Sequence, residues 1–360
     1  MTEPVLEIED LTITYRTEEG EGDVHAVTDA SFSIDENEYF GLVGESGCGK
    51  STIAKSIIGG LDENGEITSG TIKIHGEEVQ DYSEAEFNGS VRWEEVALIP
   101  QASMNSLDPL TRVSDQAVQI AQAHTSMTET EVLDHFEELF EVVGLPESRI
   151  HDYPHQFSGG MQQRALIAMS LLLKPSLIIA DEPTTALDVI MQDQILKHLN
   201  ELRDDWDISM LLITHDISVV FENCQSIAVM HGGQVAETGE TVDIFLEPRH
   251  PYTILLQQAF PDIRDPDSEL SVIEGTPPQL RAAVDHCTFA DRCPWSVEEC
   301  RAGAPPQESV EDDPTHRVAC IRSSEMTELA ADELQKRERY RSERRDEHPT
   351  TPQGTNEGEP

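Results

Sequence analysis

The chain has 360 residues, with 70 acidic and 24 basic side chains and a net charge of −46. That length accommodates two or three domains with a sizeable core. A surface so acidic repels nucleic-acid phosphates and anionic lipid, which excludes non-specific polyanion binding. The N-terminal residues lack the basic and apolar regions of a signal peptide, and no apolar run is long enough to span a bilayer. The chain therefore reads as soluble and cytoplasmic, where cysteines are reduced or metal-bound rather than paired.

In chain order, short apolar runs at Tyr39–Val43, Val96–Ile99, Leu177–Ala180, Met210–Ile213 and Ile227–Met230 predict strands buried on both faces. Helical patterns separate them. Ile53, Ile57, Ile58 and Leu61 form one apolar stripe, and Val132, Phe136, Leu139, Phe140 and Val143 form another. The second opens with Thr128 and Glu131 in capping-box spacing and closes at Gly144. Strand–helix alternation predicts a mostly parallel α/β sheet. Residues 105–165 hold no convincing strand and read as an inserted helical subdomain. After Gly239 the pattern weakens into proline-containing segments, and residues 323–360 read as a charged, disordered tail.

Gly44-Glu45-Ser46-Gly47-Cys48-Gly49-Lys50-Ser51-Thr52 follows one predicted strand and opens a helix, the context a P-loop requires. The glycines let backbone N–H groups converge on phosphates, and the helix N-terminus adds a favourable field. Lys50 is placed to reach the β- and γ-phosphates, and the Ser51 hydroxyl to ligate Mg²⁺. Cys48 occupies a variable position and reads as a small space-filler. A second strand ends in Asp181 and Glu182, a pair suited to a magnesium shell and to a base for an attacking water. Taken alone, that pair also reads as a polar strand end beside a turn, but the intact P-loop disfavours that reading. His215 follows the strand Met210–Ile213, at the sheet edge where ligands bind.

Four cysteines, Cys287, Cys293, Cys300 and Cys320, crowd the C-terminal region. They contain no Cys-x2-Cys, so neither a zinc ribbon nor a bacterial ferredoxin pattern applies. Spacing alone leaves three readings open: independent buried residues, a tetrahedral zinc, or an iron–sulfur cluster.

Ser158-Gly159-Gly160-Met161-Gln162-Gln163-Arg164, lying before Asp181 and Glu182, resembles the signature motif of ATP-binding-cassette (ABC) ATPases. Over residues 5–240 the resemblance implies a P-loop ABC-cassette fold and further roles. Tyr15 matches the aromatic that stacks on adenine, Gln101 the Q-loop glutamine and magnesium ligand, Asp188 the D-loop, and His215 the switch histidine. Tyr153–Arg164, Ile179–Val189 and His250–Thr253 are similar to the D-type ATPase of dipeptide and oligopeptide importers. Asn37 departs from that pattern, standing where the family usually has glycine.

The resemblance implies a head-to-tail pair of cassettes with an F-type partner, sandwiching two ATP molecules. Glu182 would activate water, with Asp181 and Ser51 on Mg²⁺, while Ser158, Gly159, Gly160 and Gln162 face the partner's ATP. It implies two transmembrane permease subunits, a solute-binding protein, no nucleic acid, and a place on the cytoplasmic face of the membrane. Di- or oligopeptides are the implied cargo, with nickel or oligosaccharides as alternatives. A cassette acting on DNA or ribosomes is disfavoured by the charge and by the lack of a coiled-coil insertion. A regulatory module that does not turn over is disfavoured by Glu182 and His215. Residues 241–322 are similar to the C-terminal domain of these importers, in some of which the four cysteines hold a 4Fe–4S cluster, zinc being the alternative. The acidic composition resembles that of proteins from salt-accumulating archaea.

Overall fold

The computed structural model describes residues 4–17, 22–101, 106–183, 192, 196–197, 206–259, 273–278, 281, 284–310 and 313–331. The strands are β1 (Leu6–Tyr15), β2 (Val24–Ile34), β3 (Tyr39–Gly44), β4 (Gly65–Ile74), β5 (Glu77–Glu78) and β6 (Val96–Ile99). They continue with β7 (Leu177–Asp181), β8 (Ser209–Thr214), β9 (Ser226–His231), β10 (Gln234–Glu240), β11 (Glu308–Val310) and β12 (Asp313–Val318). The main sheet runs β11-β12-β10-β9-β3-β8-β7-β6, and a second sheet runs β2-β1-β4-β5.

The five apolar runs expected to be buried strands are β3, β6, β7, β8 and β9, and they pair in parallel. Their continuous hydrophobicity has a direct cause, because each strand feeds two cores. Tyr39 and Val43 of β3 face one hydrophobic cluster while Phe40 and Leu42 face the other. The same alternation divides Ile178 and Ala180 from Leu177 and Ile179 on β7. Each such Leu or Ile contributes roughly 1.5–3 kcal/mol by leaving water.

The sheet is less uniformly parallel than expected. β10, β11 and β12 join the main sheet antiparallel, and the second sheet is antiparallel throughout. β1 escaped the sequence pattern because its alternation slips by one residue. Leu6 and Ile8 are buried, then Leu11 and Ile13, with a register shift between and Asp10 at φ 47°. A bulge at that point returns the apolar side chains to one face.

The helices α1 (Lys50–Ile57), α2 (Glu84–Ser90), α3 (Val113–His124), α4 (Glu129–Val142) and α5 (Gly159–Ser170) include those expected. α4 carries the capping box of Thr128 and Glu131, and Gly144 follows its end at φ 69°. α3, α4 and α5 occupy the stretch read as a helical subdomain, and no strand interrupts it among the described residues. Asn37 adopts φ 61°, the left-handed conformation in which glycine is cheapest and asparagine is tolerated.

The C-terminal region is built into the main sheet. β12 pairs with β10 through Glu237–Val318 and Thr238–Arg317. Below that pairing, the fully buried carboxylate of Glu237 accepts hydrogen bonds from Arg249 N (2.6 Å), His250 N (3.0 Å) and His316 Nε2 (2.8 Å). The disordered reading of 323–360 needs correction at its start. Ser323–Glu325 and Met326–Leu329 are helical turns, and Met326 is buried against Ile254. That methionine and Ala330 provide an apolar anchor the charge pattern concealed. Residues 332–360 lie outside the described residues.

Candidate active site

The P-loop connects the end of β3 to α1, at the carboxyl edge of the parallel strands. Gly47 and Gly49 take φ 81° and 108°, which a side-chain-bearing residue would resist. A Cβ on Gly49 would also stand 2.4 Å from Ala26 O on β2, so the antiparallel sheet braces the loop. Lys50 Nζ donates to the carbonyls of Gly44 (2.7 Å) and Glu45 (2.9 Å). Ser46, Gly47 and Ser51 are exposed, with Thr52 half-buried behind them. Cys48 is buried, and burial raises its thiol pKa, which suits a filler rather than a nucleophile.

β7 ends at Asp181, and Glu182 follows at φ 48° with its N–H on Ile213 O of β8 (2.8 Å). A left-handed non-glycine residue at a strand end is a costly conformation held by its surroundings. Here it places the carboxylate between two partners. Gln101 Nε2 donates to Glu182 Oε2 at 2.7 Å, and His215 Nδ1 lies 3.1 Å from Glu182 Oε1. Three residues singled out separately in the sequence therefore form one chain, Gln101–Glu182–His215. Beside it, burial raises the Asp181 carboxyl pKa, opposed chiefly by a hydrogen bond from Ser51. Asp181 Oδ1 is buried without a hydrogen-bond partner, an acceptor suited to a cation.

Tyr15 ends β1, its ring against Gly65, while the neighbouring β2 packs on the P-loop. Ser158 is exposed and caps α5, its Oγ accepting from Met161 N at 3.3 Å. Gly159 and Gly160 form the first turn of that helix, where backbone N–H groups have no intrahelical partner. Gln162 Nε2 donates to Pro154 O, leaving Oε1 buried and unpartnered. Among the described residues no hydrogen bond joins Ser158, Gly159 or Gly160 to the same chain's P-loop. Asp188 lies outside the described residues.

Cys287, Cys293, Cys300 and Cys320 all line one small cavity of about 10 Å³. Phe289, Trp295, Met326 and Arg322 are among the other residues in its wall. None of the four is in a disulfide. Burial pushes the thiol of Cys293 up to about 11 and that of Cys320 up to about 12, and it raises Cys287 too. No three His, Cys, Asp or Glu side chains among the described residues are placed to share a single metal ion.

Two residues not assigned to the site by the sequence reach the P-loop from this region. Tyr252 Oη accepts from Glu45 N at 3.0 Å, and Arg292 grips the Glu45 carboxylate through both Nη1 (2.6 Å) and Nη2 (2.7 Å). Arg292 Nη1 also meets His231 Nε2 at 3.2 Å. Burial, and then Arg292, push the His231 pKa down to about 3, so the imidazole is neutral and Nε2 accepts. The proton is left on Nδ1, facing Thr288 Oγ1 at 3.0 Å. Arg292 lies 247 positions from Glu45, and no motif spacing signals such a pairing.

Comparison with known proteins places this geometry. The family described as "ABC transporter" matches residues 27–185, and "Oligopeptide/dipeptide transporter, C-terminal region" matches residues 236–300. The chain is 41% identical over 323 residues to the oligopeptide transport ATP-binding protein OppD of Salmonella typhimurium, covering 89% of this chain and 94% of that protein. It is 39% identical to the dipeptide transport ATP-binding protein DppD of Bacillus subtilis, covering 91% of this chain and 97% of that protein. Among solved structures, the dimeric post-hydrolysis state of the ATP-binding cassette MJ0796 with ADP and Pi superposes with a TM-score of 0.59 at 28% identity, covering 66% of this chain and 98% of that one. The fold is that of a P-loop ABC-cassette ATPase, and the chain belongs to the ABC transporter ATPases of the oligopeptide/dipeptide OppD/DppD type.

Proposed function

We propose that this chain is the ATP-hydrolysing subunit of an importer that drives oligopeptides or dipeptides through a membrane permease. The observation that carries the reading is the Gln101–Glu182–His215 chain at the same sheet edge as the P-loop. The peptide cargo rests on the names of the relatives, which match about nine-tenths of the chain.

In this reading Lys50 exchanges its two carbonyl acceptors for phosphate oxygens, and Tyr15 stacks on the adenine. Glu182 takes the proton of the attacking water. Its carboxylate is held from one side by Gln101 and faces His215 on the other, so little reorganisation precedes proton transfer. Asp181, with its unpartnered Oδ1, would hold Mg²⁺ together with Ser51 and Gln101. The ion would neutralise charge on the transferring phosphoryl group. Ser158, Gly159 and Gly160 at the start of α5, with Gln162 just behind them, act on the ATP of a second cassette, an F-type partner, with Asp188 at the junction between them. The dimeric cassette among the similar structures supports that pairing. No helix among the described residues is long and apolar enough to cross a membrane. Two permease subunits supply the path, a solute-binding protein delivers the cargo, and the ATPase sits peripherally on the cytoplasmic face.

We further propose that Cys287, Cys293, Cys300 and Cys320 hold a 4Fe–4S cluster. What supports the reading is that all four thiols line one pocket and none is in a disulfide. The cluster would be structural, cross-linking the segment 287–300 to the stretch after β12. Anaerobically purified protein should contain iron and sulfide with broad absorbance near ~400 nm, and Cys300→Ser should lose all three. Zinc in their place, or no metal, overturns the assignment.

A further inference from the structure

The cysteine-bearing segment does more than sit beside the nucleotide site. The side chain of Arg292, the residue before Cys293, is only 7% exposed and makes a bidentate pair with Glu45, the second residue of the P-loop. Its Nε donates to Glu274 O at 3.0 Å, which fixes the guanidinium plane from behind. His231, at the end of β9, takes a further Arg292 hydrogen, and Thr288 Oγ1 closes the ring on the His231 carbonyl at 3.3 Å. Tyr252, from the helix Pro251–Gln258, accepts the Glu45 N–H. Both the side chain and the amide of Glu45 are thus committed to the C-terminal region. The Glu45 carbonyl meanwhile receives Lys50 Nζ at 2.9 Å.

We propose that Arg292 is a positioning residue of the nucleotide site: by clamping Glu45 it sets the P-loop backbone and Lys50, making the cysteine-bearing segment a working part of ATP binding. A bidentate guanidinium–carboxylate pair fixes direction as well as distance, which a single ammonium contact cannot. Arg292 touches no phosphate in this account and acts only through Glu45. The proposal rests on the reading of this loop as the ATP site.

The test is a double-mutant cycle on the full chain, measuring Mg·ATP affinity by titration with a fluorescent nucleotide analogue. Arg292→Ala should weaken binding about tenfold, and Arg292→Lys should recover only part of it. Glu45→Gln should weaken binding similarly, and the double variant should be no worse than either single one. Arg301→Ala serves as a control, since Arg301 pairs with Asp291 and Ser296 in the same segment without touching the P-loop. It should bind as the unaltered chain does. Equal weakening in Arg301→Ala would reduce Arg292 to a general prop, and additive losses or unchanged binding in Arg292→Ala would also overturn the proposal. If the unaltered chain fails to bind Mg·ATP, it is the ATP-site reading that falls.

Discussion

Glu182→Gln is expected to lower steady-state ATPase turnover by about two to four orders of magnitude while leaving Mg·ATP affinity within about threefold. The substitution keeps the size of the side chain and an acceptor oxygen for Gln101 Nε2, so the left-handed backbone at Glu182 has no reason to relax. What it removes is the basic lone pair that takes the water's proton. An effect on turnover with little on binding is the signature of an interaction made in the transition state. His215→Ala should fall in the same direction by a smaller factor, because His215 lies against Glu182 Oε1 rather than replacing it. Phosphate release under saturating ATP measures both, and turnover retained in Glu182→Gln would remove Glu182 from the role of base.

Glu237→Ala is expected to cost about 3–5 kcal/mol of folding stability. The carboxylate is fully buried and receives three hydrogen bonds from two separate parts of the chain. Two come from the backbone at Arg249 and His250, which orient the helix bearing Tyr252; the third comes from His316 on β12. Truncation leaves all three donors in an interior without water. Burial also drives the His250 pKa down to about 4, so its neutral Nδ1 accepts from Tyr252 N at 3.1 Å and cannot take over the role of the lost anion. Glu237→Gln, which keeps one acceptor oxygen, should cost less than half as much. Urea unfolding of the two variants checks the order, and a loss below about 1 kcal/mol for Glu237→Ala would show that β12 is held by other contacts.

How much of this was legible in the sequence depended on whether the physics was local. The five parallel strands were readable because burial on both faces leaves an unbroken apolar run. α4 was readable because Thr128, Glu131 and Gly144 mark both its ends. The P-loop carried its own context of strand, glycines and helix. The antiparallel sheet was not read, since the bulge at Asp10 breaks the period that would have announced β1. β12 was missed for another reason: its residues are largely polar, and what recruits them to the sheet is the edge of β10, far away in sequence. The site shows the same division. Glu182 and His215 were singled out by their places at strand ends and Gln101 through resemblance, and the three meet in one hydrogen-bonded chain. Arg292 had no signal at all, because its meaning lies in a carboxylate at the other end of the chain.

Measured uptake of a labelled dipeptide and a labelled oligopeptide tests the central claim most directly. The comparison is between a source strain lacking this chain and the same strain given back either the native chain or Glu182→Gln. The account predicts that loss of the chain abolishes ATP-dependent entry of at least one of the two peptides. The native chain should restore it, and Glu182→Gln should not. Unchanged uptake of both peptides in the deletion strain, or full restoration by Glu182→Gln, would contradict it.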